Sequence, residues 1–495
     1  MSLIHARNIG IASPRVLFQN LDLRVNEADR IGLIGGNGTG KTTLLRCLAG
    51  QAEPGTGDIT RRRGLRVGFV EQTVPASLID LSLSEAVRRA LPVAEREGNA
   101  WKAGLMLDLL DTPVVMRSQR LGALSGGWQR LALLARAWMT DPDVLLLDEP
   151  TNHLDVQRLV VLENWITQLS GGVAMVVASH DRQFLDTCTT HTLFLRPTQC
   201  RLYAHPFSHA RDLLAADDAA RDAKLARDAK EASRLRRNAG HLRNVGINSS
   251  SDLLLKKAKQ LTGRAEAIEQ TLRPVEKERT GAIRLANRGT HAKVLVSLDD
   301  VAVATPDGQL LFRSGGLRIF QRDRIVVIGA NGVGKSRFVH LLHRAMVGGE
   351  TVPGITVSPT VVAGYLNQQM SQLPARQTPF EFVASRFRPG DQRSVSLLAA
   401  AGFSVDTQQR PIARLSAGQK ARLGLLALRL TEPNFYLMDE PTNHVDIAGQ
   451  ERLEAEILDH EATCVLISHD RAFVRAIGTR FLRIQRHRMQ EMEAP

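Results

Sequence analysis

The chain has no long apolar runs and few cysteines. None of its apolar runs reaches about 18 residues, the length that a membrane span needs, so no transmembrane helix is predicted. The first residues lack the apolar stretch of a signal peptide, and we therefore expect a cytoplasmic protein. The cysteines are scattered without metal-ligand spacing, which is typical of reduced cytosolic thiols: Cys47, Cys188, Cys200 and Cys464.

Lysine is scarce as well, whereas arginine is abundant. Of the 64 basic residues, 53 are Arg and 11 are Lys, and the formal net charge is +13. Such an excess suggests a large anionic partner, with nucleic acid as the first candidate. Codon usage would produce the same composition. The position of the charges along the chain therefore has to decide between the two interpretations.

The 495 residues are enough for about three folding units, and the chain repeats itself. Three short motifs occur twice in the same order, at offsets of 294, 291 and 289 residues. They are Gly35–Thr42 with Gly329–Ser336, Asp148–Asp155 with Asp439–Asp446, and Ser179–Arg182 with Ser468–Arg471. Nearly constant offsets indicate a duplicated domain. We predict domains at 1–205 and 295–490 with a linker at 206–294.

The first motif has the pattern of a phosphate-binding loop between a buried strand and a helix. Its glycines let backbone N–H groups turn inward around phosphate oxygens, and the helix N-terminus adds favourable partial charge. We expect Lys41 and Lys335 to neutralise the β- and γ-phosphates, and Thr42 and Ser336 to ligate Mg²⁺. The predicted loop residues are Gly35, Gly36, Asn37, Gly38, Thr39, Gly40, Lys41 and Thr42 in the first copy, and Gly329, Ala330, Asn331, Gly332, Val333, Gly334, Lys335 and Ser336 in the second.

The second motif begins with two adjacent acids at the end of an apolar strand. Ligands bind at the carboxyl ends of parallel strands in α/β sheets. Asp148 and Asp439 are therefore expected to hold Mg²⁺, directly or through water. Glu149 and Glu440 are expected to polarise the attacking water. The alternative is a structural acid that caps a helix, and the paired occurrence makes it the weaker interpretation.

Taken together, the motifs resemble those of the ATP-binding cassette superfamily. Leu124–Arg130 and Leu415–Lys420 look like its signature, and each begins 24 residues before the strand aspartate. The family's glutamine loop and switch histidine are matched by Gln72, Gln368, His180 and His469. The resemblance implies an α/β fold class: two P-loop ATP-binding cassette domains joined by a long basic α-helical hairpin linker.

The resemblance also implies two composite ATP sites, each with the phosphate loop of one cassette facing the signature of the other. Site one would combine Gly35–Thr42, Gln72, Asp148, Glu149 and His180 with Leu415–Gln419. Site two would combine Gly329–Ser336, Gln368, Asp439, Glu440 and His469 with Leu124–Trp128. The signature residues at the nucleotide would be Ser125, Gly126, Gly127, Ser416, Ala417 and Gly418, and Gln72 and Gln368 would also help to hold Mg²⁺.

Two features depart from the family pattern. Ala417 replaces a usual glycine, and we expect this to weaken site one rather than to abolish it. No aromatic residue that would stack on adenine stands out in either copy, so recognition of the base is expected to be loose.

The motif at 148–155 and the sequence Leu-Ser-Gly-Gly-Trp closely resemble the ABC-F group of tandem cassettes. That resemblance implies a monomeric, ribosome-associated ATPase that contacts rRNA and tRNA, either as a translation factor or as an antibiotic-resistance protein. A DNA-associated ATPase and the motor of a transporter are the alternatives. The absence of an extra arm between Gln72 and Leu124, and of a long coiled-coil tail, disfavours DNA repair. The fused linker disfavours a transporter.

The linker differs in composition from the repeats. Residues 211–237 and 252–279 have helical propensity, and 238–251 is predicted to be the turn of a hairpin. The second helix has a coiled-coil-like seam: Leu254, Ala258, Leu261, Ala265, Ile268 and Leu272. A turn of about 14 residues favours a general factor over a resistance protein, although the sequence does not separate the two.

The linker also carries much of the positive charge. Residues 211–293 hold 19 basic and 11 acidic side chains, a net charge of +8. The basic cluster near the predicted turn comprises Arg234, Arg236, Arg237, Arg243, Lys256, Lys257 and Lys259. This cluster suits RNA phosphates, and the lack of aromatic residues argues against base stacking. A solvated helical spacer is the alternative.

Overall fold

The computed structural model describes residues 2–493 except 13–15, 92, 94, 95, 97, 169–171, 250, 273–282, 348–351 and 444. These residues separate into two units. One holds the described part of Met1–Leu202 and Glu278–Pro495, and the other that of Tyr203–Lys277. The first unit therefore contains both repeats. The exact domain limits at 205 and 294 stay predictions.

The first repeat alternates strands and helices. Its strands are β1 (Ser2–Ala12), β2 (Val16–Asn26), β3 (Arg30–Ile34), β4 (Thr56–Arg61), β5 (Val67–Val70), β6 (Val144–Asp148), β7 (Ala174–Ala178), β8 (His191–Phe194) and β9 (Arg201–Tyr203). Its helices are α1 (Lys41–Ala49), α2 (Leu83–Arg88), α3 (Ala100–Leu109), α4 (Val114–Arg117), α5 (Gly126–Trp138), α6 (Val156–Gln168) and α7 (Arg182–Cys188).

The second unit consists of α8 (Phe207–Asn248) and α9 (Asp252–Thr271). The second repeat then follows the order of the first. Its strands are β10 (Val294–Asp299), β11 (Ala302–Ala304), β12 (Leu310–Arg313), β13 (Gly316–Phe320), β14 (Arg324–Ile328), β15 (Ile355–Val357), β16 (Ala363–Leu366), β17 (Phe435–Asp439), β18 (Thr463–Ile467), β19 (Arg480–Gln485) and β20 (Arg488–Met492). Its helices are α10 (Lys335–Val347), α11 (Pro379–Phe387), α12 (Asp391–Ala400), α13 (Val405–Gln408), α14 (Ala417–Leu430), α15 (Ile447–Asp459) and α16 (Arg471–Ile477).

Each repeat is built on a mostly parallel sheet. The strand order is β5-β6-β7-β3-β8-β9 in the first repeat and β11-β12-β20-β19-β14-β18-β17-β16 in the second. Strands β6 and β17 are buried at every position, as expected for central parallel strands that helices cover on both faces. The matching central order, β6-β7-β3-β8 against β17-β18-β14-β19, confirms the duplication and the α/β fold class.

A smaller antiparallel sheet accompanies each parallel one, in the orders β2-β1-β4 and β13-β10-β15. In the first repeat the core between the two sheets contains Phe18, Leu44 and Leu48, all fully buried. Burial of each such side chain contributes roughly 2 kcal/mol. Leu44 and Leu48 lie on α1, so this core holds the helix that starts at the phosphate loop.

Helices α8 and α9 form the predicted hairpin, but its turn is much shorter than predicted. The interval 238–251 was expected to be a turn, whereas α8 continues to Asn248 and α9 starts at Asp252. Glycine lowers helix stability by only about 1 kcal/mol, and Gly246 sits close to the second helix. A Cβ at Gly246 would lie 3.1 Å from Leu255 Cδ2. Packing between the helices therefore overrides the turn signal of the glycines.

The seam of the hairpin follows the predicted spacing on α9, where Ala258 and Ala265 are buried. On α8, Ala232, Ala239 and Gly246 are buried in the same manner. All seven residues of the basic cluster are exposed. The predicted continuation of the second helix through 279 lies largely outside the described residues. Among the helices that the structure describes, none is long and apolar enough to span a membrane.

Candidate functional site

The two phosphate loops have the expected strand–loop–helix geometry. In the first, Gly38 and Gly40 have φ angles of 79° and 95°, which favour glycine because it lacks a Cβ. In the second, Gly332 and Gly334 have φ angles of 83° and 105°. Both loops therefore have the glycine-dependent backbone of a phosphate-binding loop, and each leads directly into the N-terminus of a helix.

A buried lysine begins the helix after each loop. Lys41 Nζ donates a hydrogen bond to the Gly35 carbonyl at 2.6 Å, and Lys335 Nζ donates to the Gly329 carbonyl at 2.7 Å. Burial lowers the pKa of Lys335, while the nearby Glu440 raises it. Each ammonium group thus lies under its loop and close to acids. It would attract an anionic ligand bound at the loop.

The acids at the strand ends are almost fully buried. Asp148 and Glu149 are 1% and 5% exposed, and Asp439 and Glu440 are 4% and 5% exposed. Burial raises the pKa of Glu149 to about 7 and that of Glu440 to about 8. Carboxylates in this state hold and release protons near neutral pH, which general-base chemistry requires.

Both glutamates have a strained backbone conformation. The φ angle is 49° at Glu149 and 51° at Glu440, in the left-handed region that non-glycine residues rarely adopt. Such strain persists only where the surrounding structure imposes it, and it is concentrated at functional sites. Its presence at the same position in both repeats shows that the geometry belongs to the motif.

A histidine faces each glutamate. His180 Nε2 lies 3.2 Å from Glu149 Oε1, and His469 Nε2 lies 3.3 Å from Glu440 Oε1. Burial lowers the pKa of His469 to about 3, so its imidazole is neutral at physiological pH. His180 and His469 are therefore in position to hydrogen-bond with the glutamates or with a ligand between them.

The aspartates are suited to a cation that is shared with phosphate. Thr42 hydrogen-bonds to the Asp148 side chain, and Ser336 hydrogen-bonds to that of Asp439. Asp148 Oδ2 is buried and has no hydrogen-bond partner among the described residues. No cluster of three or more His, Cys, Asp or Glu side chains suited to a metal occurs in that part of the chain. Mg²⁺ fits such a site, because it binds through one or two protein oxygens together with substrate phosphates.

The two repeats meet at the phosphate loops. Asp155 Oδ2 accepts a hydrogen bond from the Asn331 backbone N–H at 3.2 Å, and the His153 carbonyl accepts one from Asn331 Nδ2 at 3.1 Å. On the other side, Asp446 Oδ2 accepts a hydrogen bond from the Asn37 backbone N–H at 3.3 Å. Both aspartates belong to the duplicated motif, but the sequence offered no sign that they cross to the opposite repeat.

A cavity of about 1260 Å³ lies between the repeats at the second phosphate loop. From the second repeat it is lined by Asn331, Gly332, Gly334, Lys335, Ser336, Gln368, Asp439, Glu440 and His469. From the first repeat Ser125, Gly126, Gly127 and His153 line the same cavity. The structure therefore brings the first signature and the second loop together, as site two requires.

Fewer of the residues predicted for site one line this cavity. Its lining includes Gln72, His180 and Ala417. Ser416 begins α14 with a capping box, in which its side chain accepts a hydrogen bond from the Gln419 backbone N–H. Among the described residues that line the cavity, neither Ser416 nor Lys41 appears. The hydrogen bond from the Asn37 backbone N–H to Asp446 links the repeats directly at this loop.

Crossed ion pairs join the repeats beside the switch histidines. Arg182 pairs with Glu454 of the second repeat, and Arg471 pairs with Glu163 of the first. Arg182 Nη2 also lies 3.8 Å from Asp470 Oδ2, and all these side chains are at most 14% exposed. The two arginines are the last residues of the third duplicated motif. From the sequence, a role was predicted only for the histidine of this motif.

A buried arginine holds the glutamine loop of the first repeat. Arg130 on α5 donates hydrogen bonds to the Glu71 carbonyl at 2.5 Å and to the Gln72 carbonyl at 2.7 Å. Its side chain lies in the field of Asp148 and Glu149, which raise its pKa, although burial lowers the pKa more. The second repeat has Ala421 at the matching position. The sequence showed this difference, but only the contacts reveal what it affects.

Comparison with known proteins matches the repeats to a described family. The family model for the ABC transporter matches residues 18–152 and 315–443. ABC transporter F family member 5 of Arabidopsis thaliana is 29% identical, over 95% of this chain and 73% of that protein. Ribosome protection protein VmlR of Bacillus subtilis is 28% identical, over 93% of this chain and 82% of that protein.

A solved structure shows the same arrangement of elements. The archaeal ribosome recycling factor, crystallised with the ribosomal stalk protein, superposes with a TM-score of 0.63. The superposition covers 97% of this chain and 89% of that one, with 18% sequence identity. At this identity the likeness concerns the fold.

Proposed function

This chain belongs to the ABC transporter family as a tandem ATP-binding cassette ATPase of the F type, and we propose that it acts on the ribosome in the cytoplasm. In this proposal ATP binding draws the two cassettes together around both composite sites, and hydrolysis separates them again. The observation that supports it most directly is the shared cavity, where Ser125 and Gly126 of one cassette lie with Lys335 and Glu440 of the other.

The residues of each loop bind the nucleotide in this proposal. Lys41 and Lys335 neutralise the β- and γ-phosphates, and the loop N–H groups cradle them. The set that would hold Mg²⁺ comprises Thr42, Asp148 and Gln72 in site one, and Ser336, Asp439 and Gln368 in site two. When bound, the ion would offset the negative charge of the phosphates.

The buried glutamates perform the hydrolytic step. Glu149 and Glu440 accept a hydrogen bond from the attacking water and orient it toward the γ-phosphate. The charge of Lys41 favours the ionised form of Glu149, against the effect of burial. Lys335 has the same effect on Glu440. His180 and His469 lie within 3.3 Å of these glutamates and hold the water and the γ-phosphate in line.

The hairpin is the part that contacts RNA. Its basic cluster is exposed, and the linker carries a net charge of +8 over residues 211–293. Neutralising rRNA or tRNA phosphates is a natural use of such a surface. A relative is named as a ribosome protection protein, so the proposal covers both a translation factor and protection of the ribosome against antibiotics.

The test uses a variant that binds ATP but does not hydrolyse it. In the double variant Glu149→Gln with Glu440→Gln, we expect ATP to hold the cassettes closed and the protein to sediment with ribosomes at near-physiological salt. The same variant with Lys41→Ala and Lys335→Ala serves as the control, because it lacks the lysines that bind phosphate and should stay in the free fraction.

Two outcomes would overturn the proposal. In the first, the double glutamine variant sediments free of ribosomes with ATP present. In the second, a DNA junction of equal charge displaces it from ribosomes as effectively as rRNA does, which would favour a DNA-associated ATPase. Imaging of the trapped complex would then identify the ribosomal state that is bound.

A further inference from the structure

Helix α5 connects the two ATP sites of this chain. Its N-terminal residues, Ser125 to Gly127, line the cavity of site two together with Lys335 and Glu440. Slightly farther along, Arg130 is 5% exposed and donates hydrogen bonds to the carbonyls of Glu71 and Gln72. Gln72 belongs to site one. A single rigid helix thus contacts site two at one end and holds a loop of site one through a side chain.

The geometry of this link is specific to arginine. Its two terminal nitrogens donate to two successive carbonyls at 2.5 Å and 2.7 Å, which fixes both the position and the orientation of the peptide at Gln72. Charge-assisted hydrogen bonds of this kind are about twice as strong as neutral ones. A displacement of α5 would therefore be passed to the Gln72 loop rather than absorbed between them.

The second repeat has no arginine at the position of Arg130. Ala421 stands five residues after Ser416, as Arg130 stands five residues after Ser125. There Gly424 of α14 lies close to apolar side chains on either side of Gln368: a Cβ at Gly424 would lie 2.7 Å from Leu366 Cδ1 and 3.0 Å from Met370 Sδ. Such contacts fill space but do not fix the orientation of the backbone at Gln368. The two cassettes therefore differ in how signature and glutamine loop are joined.

We propose that Arg130 is a positioning residue that transmits nucleotide engagement at site two to the Gln72 loop of site one, and that no equivalent transmission runs from site one to site two. The direction follows from the asymmetry, because Ala421 has no donor with which to hold Gln368. The inference rests on the proposed function of the two sites and adds an order to it: occupancy of site two prepares site one.

The test measures site-one turnover with site two occupied or empty. The Glu440→Gln variant restricts hydrolysis to site one and leaves site two able to bind ATP. Adding Lys335→Ala empties site two. The measured ratio is the site-one turnover number with site two occupied, divided by that with site two empty. We expect this ratio to be about fivefold larger with Arg130 present than in Arg130→Ala, which is the size of a direct coupling between contacting groups. Because Arg130 touches the Gln72 backbone, kcat should change more than KM.

Arg136 provides a matched control. It is another arginine on α5, half-buried, and it donates a hydrogen bond to the Ala86 carbonyl of α2 rather than to a glutamine loop. Arg136→Ala removes a comparable side chain from the same helix, and it should leave the ratio between occupied and empty site two at the wild-type value. Arg130→Lys retains one donor and should restore part of the ratio. It also serves as the measured variant if Arg130→Ala does not fold.

The inference is wrong if Arg130→Ala and Arg130→Lys leave the ratio at the wild-type value, or if Arg136→Ala lowers it equally. It is also wrong if the mirror experiment, with Glu149→Gln and Lys41→Ala, shows a dependence of site two on site one that is as large. Failure of the proposed function itself would look different. The wild-type chain would then show no ATP hydrolysis, or its trapped variant no ribosome binding, whatever residue stands at 130.

Discussion

Asp155 of the first cassette accepts a hydrogen bond from the backbone N–H of Asn331 in the phosphate loop of the second, with Oδ2 3.2 Å from the nitrogen. Its other oxygen, Oδ1, accepts a hydrogen bond from the Arg158 backbone N–H within its own cassette. Asp446 has the same two contacts, with Asn37 across the interface and with Gly449 at the start of α15. Each aspartate thus lies at the start of a helix in one cassette and also binds the phosphate loop of the other cassette.

Asp155→Asn should separate these two roles. The amide keeps an oxygen for the Arg158 N–H but presents an NH₂ group to the Asn331 N–H, so the crossing hydrogen bond is lost. A hydrogen bond to a charged group contributes about 1.5 to 3 kcal/mol. We therefore expect the ATP concentration that half-closes the cassettes to rise at least about tenfold, as measured by energy transfer between dyes on the two cassettes. If the free energy of unfolding of the variant also falls by about 1.5 to 3 kcal/mol, the substitution has damaged the start of the helix instead.

Charge exchange between Arg182 and Glu454 should test the crossed ion pairs. Arg182→Glu alone leaves buried acids facing each other at the interface, and breaking a buried pair typically destabilises by about 3 to 5 kcal/mol. We expect cassette closure to be strongly impaired in that variant. Arg182→Glu combined with Glu454→Arg should recover part of the loss. The related pair Arg471 with Glu163 gives an independent repeat of the cycle, and absence of recovery in both pairs would contradict a direct interaction.

The stability of the nucleotide-free protein should depend on Glu149 in a defined pH window. Burial raises the pKa of Glu149 from 4.5 to about 7, so the folded state retains a proton that the unfolded state has lost. Between these values the folded state binds more protons, and its stability falls as the pH rises, then levels off above about pH 7.

Glu149→Gln has no proton to lose and should escape this decline. Relative to the wild-type chain, the variant should gain up to about 3 kcal/mol in free energy of unfolding between pH 4.5 and pH 8. The measurement is urea unfolding in the absence of divalent cations and nucleotide. An equal pH dependence in both proteins would show that Glu149 does not carry the effect.

Neutralising the basic cluster should weaken ribosome binding in a salt-dependent manner. Replacing Lys256, Lys257 and Lys259 by Gln removes three exposed charges from α9. If each contacts a phosphate, the slope of log affinity against log salt should decrease by roughly one per lysine. Binding of the hydrolysis-deficient protein to ribosomes at several salt concentrations gives this slope.

A control for net charge is available in the second cassette. Arg388, Arg393 and Arg410 are also exposed, and their replacement by Gln lowers the net charge by the same amount. The slope should then stay close to that of the parent protein. If both triple variants change it equally, the binding reflects overall charge and the hairpin has no special role.

Much of the site was predictable because its chemistry is local. A strand, a glycine-rich loop and a helix that starts with lysine are contiguous in sequence and occur in two copies, so the pattern can be recognised without a structure. The turn of the hairpin was not predictable in the same way. Gly240 and Gly246 are turn signals by composition, yet α8 continues past both because the second helix packs against it. The helix stability that is lost at a glycine is small compared with the stability gained when the two helices pack together.

By itself the sequence determined the duplicated fold, the buried acids at the strand ends and the basic hairpin, since each depends on neighbouring residues and on their periodicity. The tertiary structure decided which residues meet between the cassettes. Asp155 reaches Asn331 across 176 positions, and Arg182 reaches Glu454 across 272. It also decided that Arg130 holds the carbonyl of Gln72, a contact that the side chain of Ala421 cannot make to Gln368. Such pairings depend on how two folded surfaces fit together, which no local pattern of residues specifies.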